Sequence, residues 1–314
     1  MTTPAPAREG QTYVGASRWV RYANLVKLPH TVFALPFALV GATLASYQAA
    51  VTPRIVAWIV VAFTAARFAA MGFNRIVDRQ VDAQNPRTAT RELPAGVLAV
   101  GEARAAVGVA SLLFIYSAWQ LNPICGRLSP LALAWVLAYS YTKRFTRWSH
   151  LVLGAGLSIA PVGGYLAVTG VWPDPWWMPV VLAVAVTTWV AGFDVMYALQ
   201  DIGFDRANGL HSLPAKLGEA RAIAIARALH AATVAALGVV GMATGSGWLY
   251  FAGVAIAAAL LLYEHRLVRV GDLSQLNAAF FTMNGIISIA FFCCVVAERV
   301  LFAWGLVSRS GPSG

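Results

Sequence analysis

Asn74-Arg-Ile-Val-Asp78-Arg-Gln-Val-Asp82 gathers an amide and two carboxylates at intervals of four, just where a long apolar run ends. Residues four apart on an α-helix share a face about 6 Å along the axis, so the spacing predicts one stripe of oxygen-bearing side chains. A second copy lies downstream in Asp194-Val-Met-Tyr197-Ala-Leu-Gln-Asp201-Ile-Gly-Phe-Asp205. Its intervals of seven and four would keep all three carboxylates on one helical face, with Tyr197 beside them. Five of the chain's seven aspartates fall in these two stretches, so chemistry is expected there.

The surroundings are membrane-like. Of 314 residues, 59% are hydrophobic and 11% charged, and the mean hydropathy is +0.66. This excludes a soluble globule and predicts an all-α, polytopic membrane protein. Apolar segments near the roughly 20 residues that cross a bilayer fall at 32–50, 54–73, 101–121, 128–142, 149–169, 178–198, 219–243, 247–264 and 276–304. They predict nine transmembrane helices around a central cavity, forming a domain over 29–305. An N-terminal cytoplasmic or interfacial segment, 1–28, precedes it and a C-terminal tail, 306–314, follows.

Lys and Arg crowd one side of this map, including Arg18, Arg21, Lys27, Arg75, Arg79, Arg87, Arg91, Lys143, Arg144, Arg206 and Lys216; the other side has only Arg54, Arg127, Arg299 and Arg309. The positive-inside rule makes the first side, with both acidic stretches, cytoplasmic. Trp58, Trp119, Trp172, Trp176, Trp177, Trp248 and Trp304 collect on the opposite face, as an interfacial aromatic belt would. The net charge of +10 therefore follows membrane topology, and no nucleic-acid partner is expected. No cleavable signal peptide is expected either, because residues 1–28 are polar, basic and followed by a full-length span. Cys125, Cys293 and Cys294 lack metal-ligand spacing, and His30, His150, His230 and His265 read as packed or interfacial side chains. Arg67, inside the second span, reads as satisfying the bundle interior.

Each acidic stretch leads into a similar loop. Asn85-Pro-Arg87-Thr-Ala-Thr-Arg91-Glu-Leu93-Pro-Ala follows the first, and Asn208 with His211-Ser-Leu213-Pro-Ala-Lys216 follows the second. Asp78 and Asp82 map onto Asp201 and Asp205 at an offset of 123 residues, which predicts an internal repeat of helix-loop modules facing one cavity. Between them, Tyr139 and Lys143 stand four apart at the end of the fourth span, sharing a helical face.

Charges beside hydrocarbon are costly and are normally functional. Two facing pairs of carboxylates need a cation, and hard oxygen ligands with room for water suit Mg²⁺, whose shell is usually completed by waters and phosphate oxygens. The nearby arginines and lysines add phosphate-binding capacity. The residues thus predict a lipid diphosphate held through Mg²⁺ at the mouth of an apolar bundle, its tail in the bilayer. Asn74, Asp78, Asp82, Asp201 and Asp205 are the expected metal ligands.

These residues resemble the UbiA family of intramembrane aromatic prenyltransferases. Its N-x-x-x-D-x-x-x-D is similar to Asn74, Asp78 and Asp82, its D-x-x-x-D to Asp201 and Asp205, and its Y-x-x-x-K to Tyr139 and Lys143. Asp194 and Tyr197 resemble the variant of the 4-hydroxybenzoate polyprenyltransferase branch, and Phe33-Ala-Leu-Pro36, Asn85-Pro-Arg-Thr and His211-Ser-Leu-Pro look like a bacterial subgroup that includes menaquinone-pathway enzymes. The resemblance, over about 22–300, implies an enzyme of the bacterial inner membrane that joins a polyprenyl diphosphate to an aromatic acid, 4-hydroxybenzoate or a naphthoate, in ubiquinone or menaquinone biosynthesis. It implies Mg²⁺, with Arg79, Arg91 and Lys143 on the departing diphosphate. Arg144 or Arg67 would hold the acceptor carboxylate, Asp194 would address the phenol, and Tyr197 and Lys216 belong to the expected substrate site. Other acceptors of the same family (a haem precursor, a chlorin or homogentisate) would leave these residues unchanged. A membrane transporter could also use intramembrane acids, but would not need phosphate-binding cations clustered with them.

Overall fold

The computed structural model describes residues 13, 15, 17–27 and 31–308; the Pro/Ala-rich start of the chain, His30 and Arg309 lie outside them. The described residues are helical with no β-strand: α1 (Arg18–Leu25), α2 (Thr31–Ala45), α3 (Pro53–Gln84), α4 (Val100–Leu121), α5 (Pro123–Ala138), α6 (Ser149–Thr169), α7 (Met178–Tyr197), α8 (Ile202–Ala207), α9 (Leu213–Leu217), α10 (Glu219–Ala243), α11 (Trp248–Leu267) and α12 (Asn284–Ala303). Seven of these helices are long and apolar enough to cross a membrane: α3, α4, α6, α7 with its continuation to Ala207, α10, α11 and α12. The protein is an integral membrane protein. The apolar α2 and the Pro-started α5 are shorter, at 15 and 16 residues.

Local signals place the ends. Thr52 accepts a hydrogen bond from the Ile55 amide and Pro53 occupies the first turn of α3, where a missing N–H costs nothing. Asn122 closes α4 and caps α5 at the Cys125 amide, while its Nδ2 donates to the Leu166 and Ala167 carbonyls of α6 at 2.8 and 3.2 Å. Gly170, at φ 67°, ends α6 in the left-handed conformation that glycine adopts most cheaply. Glu298 of α12 is buried and accepts from the Gly247 and Tyr250 amides at 3.0 and 2.8 Å, satisfying donors that the start of α11 cannot satisfy itself.

The long helices pack in chain order from α2 to α7, then α10, α11 and α12, which returns to α2. α2 and α6 also touch across this ring. They can do so because Gly41 of α2 lies against the Pro161 carbonyl and Gly164 of α6 against that of Ala38, with no room for a Cβ; small residues let helices in lipid approach to backbone contact. The contact divides the interior into unlike halves. Between α2, α6, α7, α10, α11 and α12 the space is filled by Phe37, Tyr165, Trp189, Leu237, Tyr250 and Phe291. Between α2 and α6 on the other side it is hollow, a chamber of about 460 Å³ walled by Ala62, Ala66, Ala70, Ala118, Ala132, Gly156 and Gly163 among others.

The described part of the N-terminal segment includes a docked helix, α1. Leu25 and Val26 join Ile76, Leu93, Leu98 and Val107 in a buried cluster, Arg21 donates to the Val97 carbonyl and Arg75 to that of Leu25. The α2–α6 contact yields a test with an internal control. Gly164→Ala should lower the melting temperature in detergent by about 3 °C or more, since overpacking typically costs 1–3 kcal/mol. Gly163→Ala, where a Cβ meets nothing within 4 Å, should leave it level or raise it. Equal melting of the two variants would remove the close crossing from the account of stability.

Candidate functional site

α3 carries the first acidic stretch without a break as far as Gln84. Asn74 Nδ2 donates to Asp78 Oδ2 at 2.9 Å, the spacing of four that the sequence predicts. The second stretch departs from the expected single helix. α7 stops at Tyr197, Ala198–Asp201 tighten into a 3₁₀ turn and α8 begins at Ile202. The turn of three residues alters the period between Asp194 and Asp201; Asp194 pairs with His150 of α6, whose Nδ1 lies 2.6 Å from its Oδ2, while all three carboxylates line one cavity. Tyr139 to Arg144 are 3₁₀ as well, so Tyr139 and Lys143 do not share an α-helical face, although both line the same cavity.

That cavity, about 290 Å³, lies where α3, the 3₁₀ turns, α7 and the loop after α3 meet. Seven cationic side chains (Lys27, Arg67, Arg75, Arg87, Arg91, Lys143 and Arg144) and five carboxylates (Asp78, Asp82, Asp194, Asp201 and Asp205) line it. The excess of positive charge suits a polyanion rather than a bare cation.

The loop after α3 folds back over the site. Asn85 caps α3 and accepts from the Arg87 amide at 3.0 Å, a turn in which an Asn side chain replaces a backbone partner. This aims Arg87 across the cavity, where its Nε and Nη2 grip Asp201 at 3.0 and 2.6 Å, with Asn85 Nδ2 on the same carboxylate at 3.2 Å. The guanidinium also stands over the Tyr197 ring, 5.7 Å from its centroid. Further along the loop, Arg91 returns to Asp82 at 2.7 Å. Asp205, buried to 1% exposure, accepts from Ser212 at 2.7 Å. Arg144 donates to Asp78 at 3.1 Å and to the Val77 carbonyl at 2.9 Å. The two acidic stretches therefore face one another, their charge balanced largely by arginine forks.

Two expected residues are not brought to this cavity. Arg79 donates to the Ile76 carbonyl at 2.9 Å on its own helix, and Lys216 is exposed on α9; neither is among the lining side chains. Asn85, His150 and Lys27 line or brace the site without having been singled out for it, while Arg75 and Arg87, expected only among the phosphate-binding cations, line it too. The repeated Asp-x-x-Asn pattern, Asp82 to Asn85 and Asp205 to Asn208, marked Asn85, but which carboxylate Asn85 and Arg87 reach depends on tertiary structure. Among the described residues no three His, Cys, Asp or Glu side chains converge as a ready metal cage. Yet Asp82 Oδ2 and Asp205 Oδ1 are buried with no hydrogen-bond partner, and Arg75 Nη1 stands 3.9 Å from the former. Buried anionic oxygens lacking a donor fit a hard divalent ion whose remaining ligands come from water and phosphate.

Six residues (Ala34, Arg67, Met71, Tyr139, Leu153 and Leu157) line both this cavity and the hollow chamber. The polar site thus opens into an apolar space, the design of a membrane enzyme acting on an amphiphile with an anionic head. Residues 34–286 match the UbiA prenyltransferase family, and the chain belongs to it. It is similar to the 4-hydroxybenzoate octaprenyltransferases of Aromatoleum aromaticum, 31% identical over 73% of this chain and 77% of that one, and of Sodalis glossinidius, 33% identical over 69% and 74%. Among solved structures it resembles the apo structure of a UbiA homolog from Aeropyrum pernix K1, with TM-score 0.79 and 34% identity over 86% of this chain and 98% of that one. It shares its fold with a UbiA homolog from Archaeoglobus fulgidus bound to DMAPP and Mg²⁺, with TM-score 0.70 and 20% identity over 90% and 99%.

The Arg87–Asp201 fork joins the loop of one acidic module to the helix of the other. Removing one partner of a largely buried pair is expected to cost about 2–4 kcal/mol, because the other charge is stranded. Arg87→Ala should therefore melt lower than Arg87→Ala/Asp201→Ala. Equal melting temperatures would mean that the fork holds nothing together.

Proposed function

We propose that the chain transfers a polyprenyl group from a polyprenyl diphosphate to a carbon of a phenolic aromatic acid, of the 4-hydroxybenzoate or hydroxynaphthoate type, in quinone biosynthesis. The observation that carries this reading is the continuity of an arginine- and aspartate-lined cavity with an apolar chamber through Arg67, Met71 and Tyr139: one half suits a diphosphate, the other its hydrocarbon tail. The octaprenyltransferase relatives support the aromatic acid as acceptor.

The proposed metal is Mg²⁺, held by Asp78, Asp82, Asp201 and Asp205 with Asn74; when bound it would offset the charge that builds on the departing diphosphate. Arg87, Arg91 and Lys143 present N–H donors to the phosphate oxygens. The bond between the allylic carbon and the diphosphate oxygen breaks, its electron pair leaving with the diphosphate. Trp189, Phe193, Tyr197 and Phe280 line the cavity nearby and keep water from the allylic cation. The ring carbon ortho to the phenol oxygen then bonds to that cation, and the proton it carried passes to the released diphosphate. Asp194 accepts a hydrogen bond from the phenol and Arg67 pairs with the acceptor carboxylate; Arg144, engaged with Asp78, belongs to the donor side. Arg79 and Lys216, outside the cavity lining, take no part in this scheme.

The same reading takes α2 and α5 as short spans beside the seven long ones, giving nine. It keeps 29–305 as the transferase domain between the two terminal segments and treats the two acidic helix-loop modules as an internal repeat. The site then lies at the cytoplasmic face of the cell membrane, supported by the crowding of Lys and Arg in the loops on that side.

The reading is tested by supplying the purified protein and Mg²⁺ with a panel of prenyl diphosphates and hydroxy-aromatic acids, with products read by mass spectrometry. A C-prenylated acid and diphosphate are expected, and flux of an ion without product would replace the reading by a transporter. Asp78→Ala and Asp201→Ala should each lower Mg²⁺-dependent turnover at least about a hundredfold while the bundle stays folded. Arg67→Ala should raise the apparent KM for the acid about tenfold or more, as loss of a buried charge partner does, with a smaller change for the donor. Equal rises in both constants would move Arg67 to the donor site.

A further inference from the structure

His150 lies in the first turn of α6, 1% exposed, and faces Asp194 near the end of α7. Its Nδ1 is 2.6 Å from Asp194 Oδ2. On the other edge of the ring, the Leu213 amide points at Nε2 from 3.4 Å. An amide N–H can only donate, so Nε2 accepts, and the ring proton sits on Nδ1, aimed at a carboxylate that accepts. The two contacts thus fix both the tautomer and the plane of the ring.

The backbone beneath enforces this pairing. Gly154, one turn further along α6 on the face of His150, lies so close to the Thr187 carbonyl of α7 that a Cβ would not fit. Thr187 precedes Asp194 by seven residues and shares its face. The two helices are therefore pinned together just below the pair. Asp194 itself is not sealed: its side chain is 26% exposed and lines the cavity. With Oδ2 held by the imidazole, Oδ1 is the oxygen left for a ligand.

We infer that His150 is a positioning residue that clamps Asp194 in the orientation from which its second oxygen receives the hydroxyl of the aromatic acceptor. The inference rests on the prenyl transfer proposed above. It adds a link between the two half-sites, because the loop that donates to His150 through Leu213 also places Ser212 on Asp205. Two adjacent residues thereby brace the acceptor-side and donor-side carboxylates together.

The test compares ring volume with hydrogen bonding. His150→Phe keeps the bulk and loses the donor; His150→Asn presents an amide N–H close to the position of Nδ1. His150→Phe should lower kcat at least about tenfold while the dissociation constant for the prenyl diphosphate with Mg²⁺ stays within about twofold. His150→Asn should recover most of the loss, and adding His150→Phe to Asp194→Asn should cost nothing further. Should the Phe variant fail to fold, His150→Leu against His150→Asn, alike in side-chain branching, decides the same point. An active Phe or Leu variant with an inactive Asn variant would make His150 a packing group and overturn the inference. If the wild-type protein prenylates no aromatic acid under any condition, the underlying reading fails, and donor binding in the variants shows that separately.

Discussion

Five carboxylates gathered at the end of an apolar bundle repel one another, and that repulsion has to be balanced before anything binds. The chain balances it with guanidinium groups delivered by a loop. Asn85 turns the backbone at the end of α3, Arg87 crosses to Asp201, and Arg91 returns to Asp82. A charge in a poorly solvated site costs far more than one in water, so these forks set the condition on which the acidic modules can approach at all. Because the pairs lie at helix ends, in turns and in a loop, the protein keeps its charge where a bilayer tolerates it best. A diphosphate entering this cavity would compete for arginines already present, which is an economical way to bind a polyanion without leaving bare cations behind when it departs.

The second constraint is volume. The two sides of the α2–α6 contact are built from the same kind of helix but from different residues. One side is filled with Phe37, Trp189, Tyr250 and Phe291, whose rings interlock at 4.7 to 6.0 Å between centroids. The other, where alanines and glycines interrupt larger apolar side chains such as Phe63, Phe114 and Leu157, stays open. Interiors normally pack to the density of organic crystals, and an empty apolar space forfeits contacts. A chamber of this size beside a charged site is a cost that a merely structural bundle would not carry, and it lies where the tail of an amphiphile held by its head would extend.

The sequence revealed much of this because its signals are periodic. The span over 54–73 and the stripe from Asn74 to Asp82 became one helix, since nothing in Met71 to Gln84 breaks a 3.6-residue period and Asn85 then caps it. The segments at 149–169 and 219–243 coincide with α6 and α10. What the sequence hid is tertiary. The 3₁₀ turns at Tyr139–Arg144 and Ala198–Asp201 contain no glycine or proline to announce them, so nothing local marked the change of period after Tyr197 or the pairing of Asp194 with His150. A lone histidine on an apolar stretch carries no local sign of its partner, 44 residues away. Lys216 errs the other way: its place in a repeated loop resembled that of a site residue, yet its side chain points to solvent.

These elements share one logic. Reactive residues are not left on a helix face for solvent to organise; each is held by a neighbour from another segment. Asp201 is held by the loop after α3, Asp205 by Ser212, Asp78 by Arg144 and Asp194 by His150. In the proposed transfer, carbon–carbon bond formation through an allylic cation would leave little time for rearrangement, so the acceptor ring would have to be in place before the diphosphate leaves. Supporting each carboxylate from a second segment fixes the site in advance, and the same cross-links make the half-sites depend on one another. The 3₁₀ turn at Ala198–Asp201 changes the helical period between Asp194 and the next two acids, so that Asp194 meets His150, Asp201 meets Arg87 and Asp205 meets Ser212 around a single cavity.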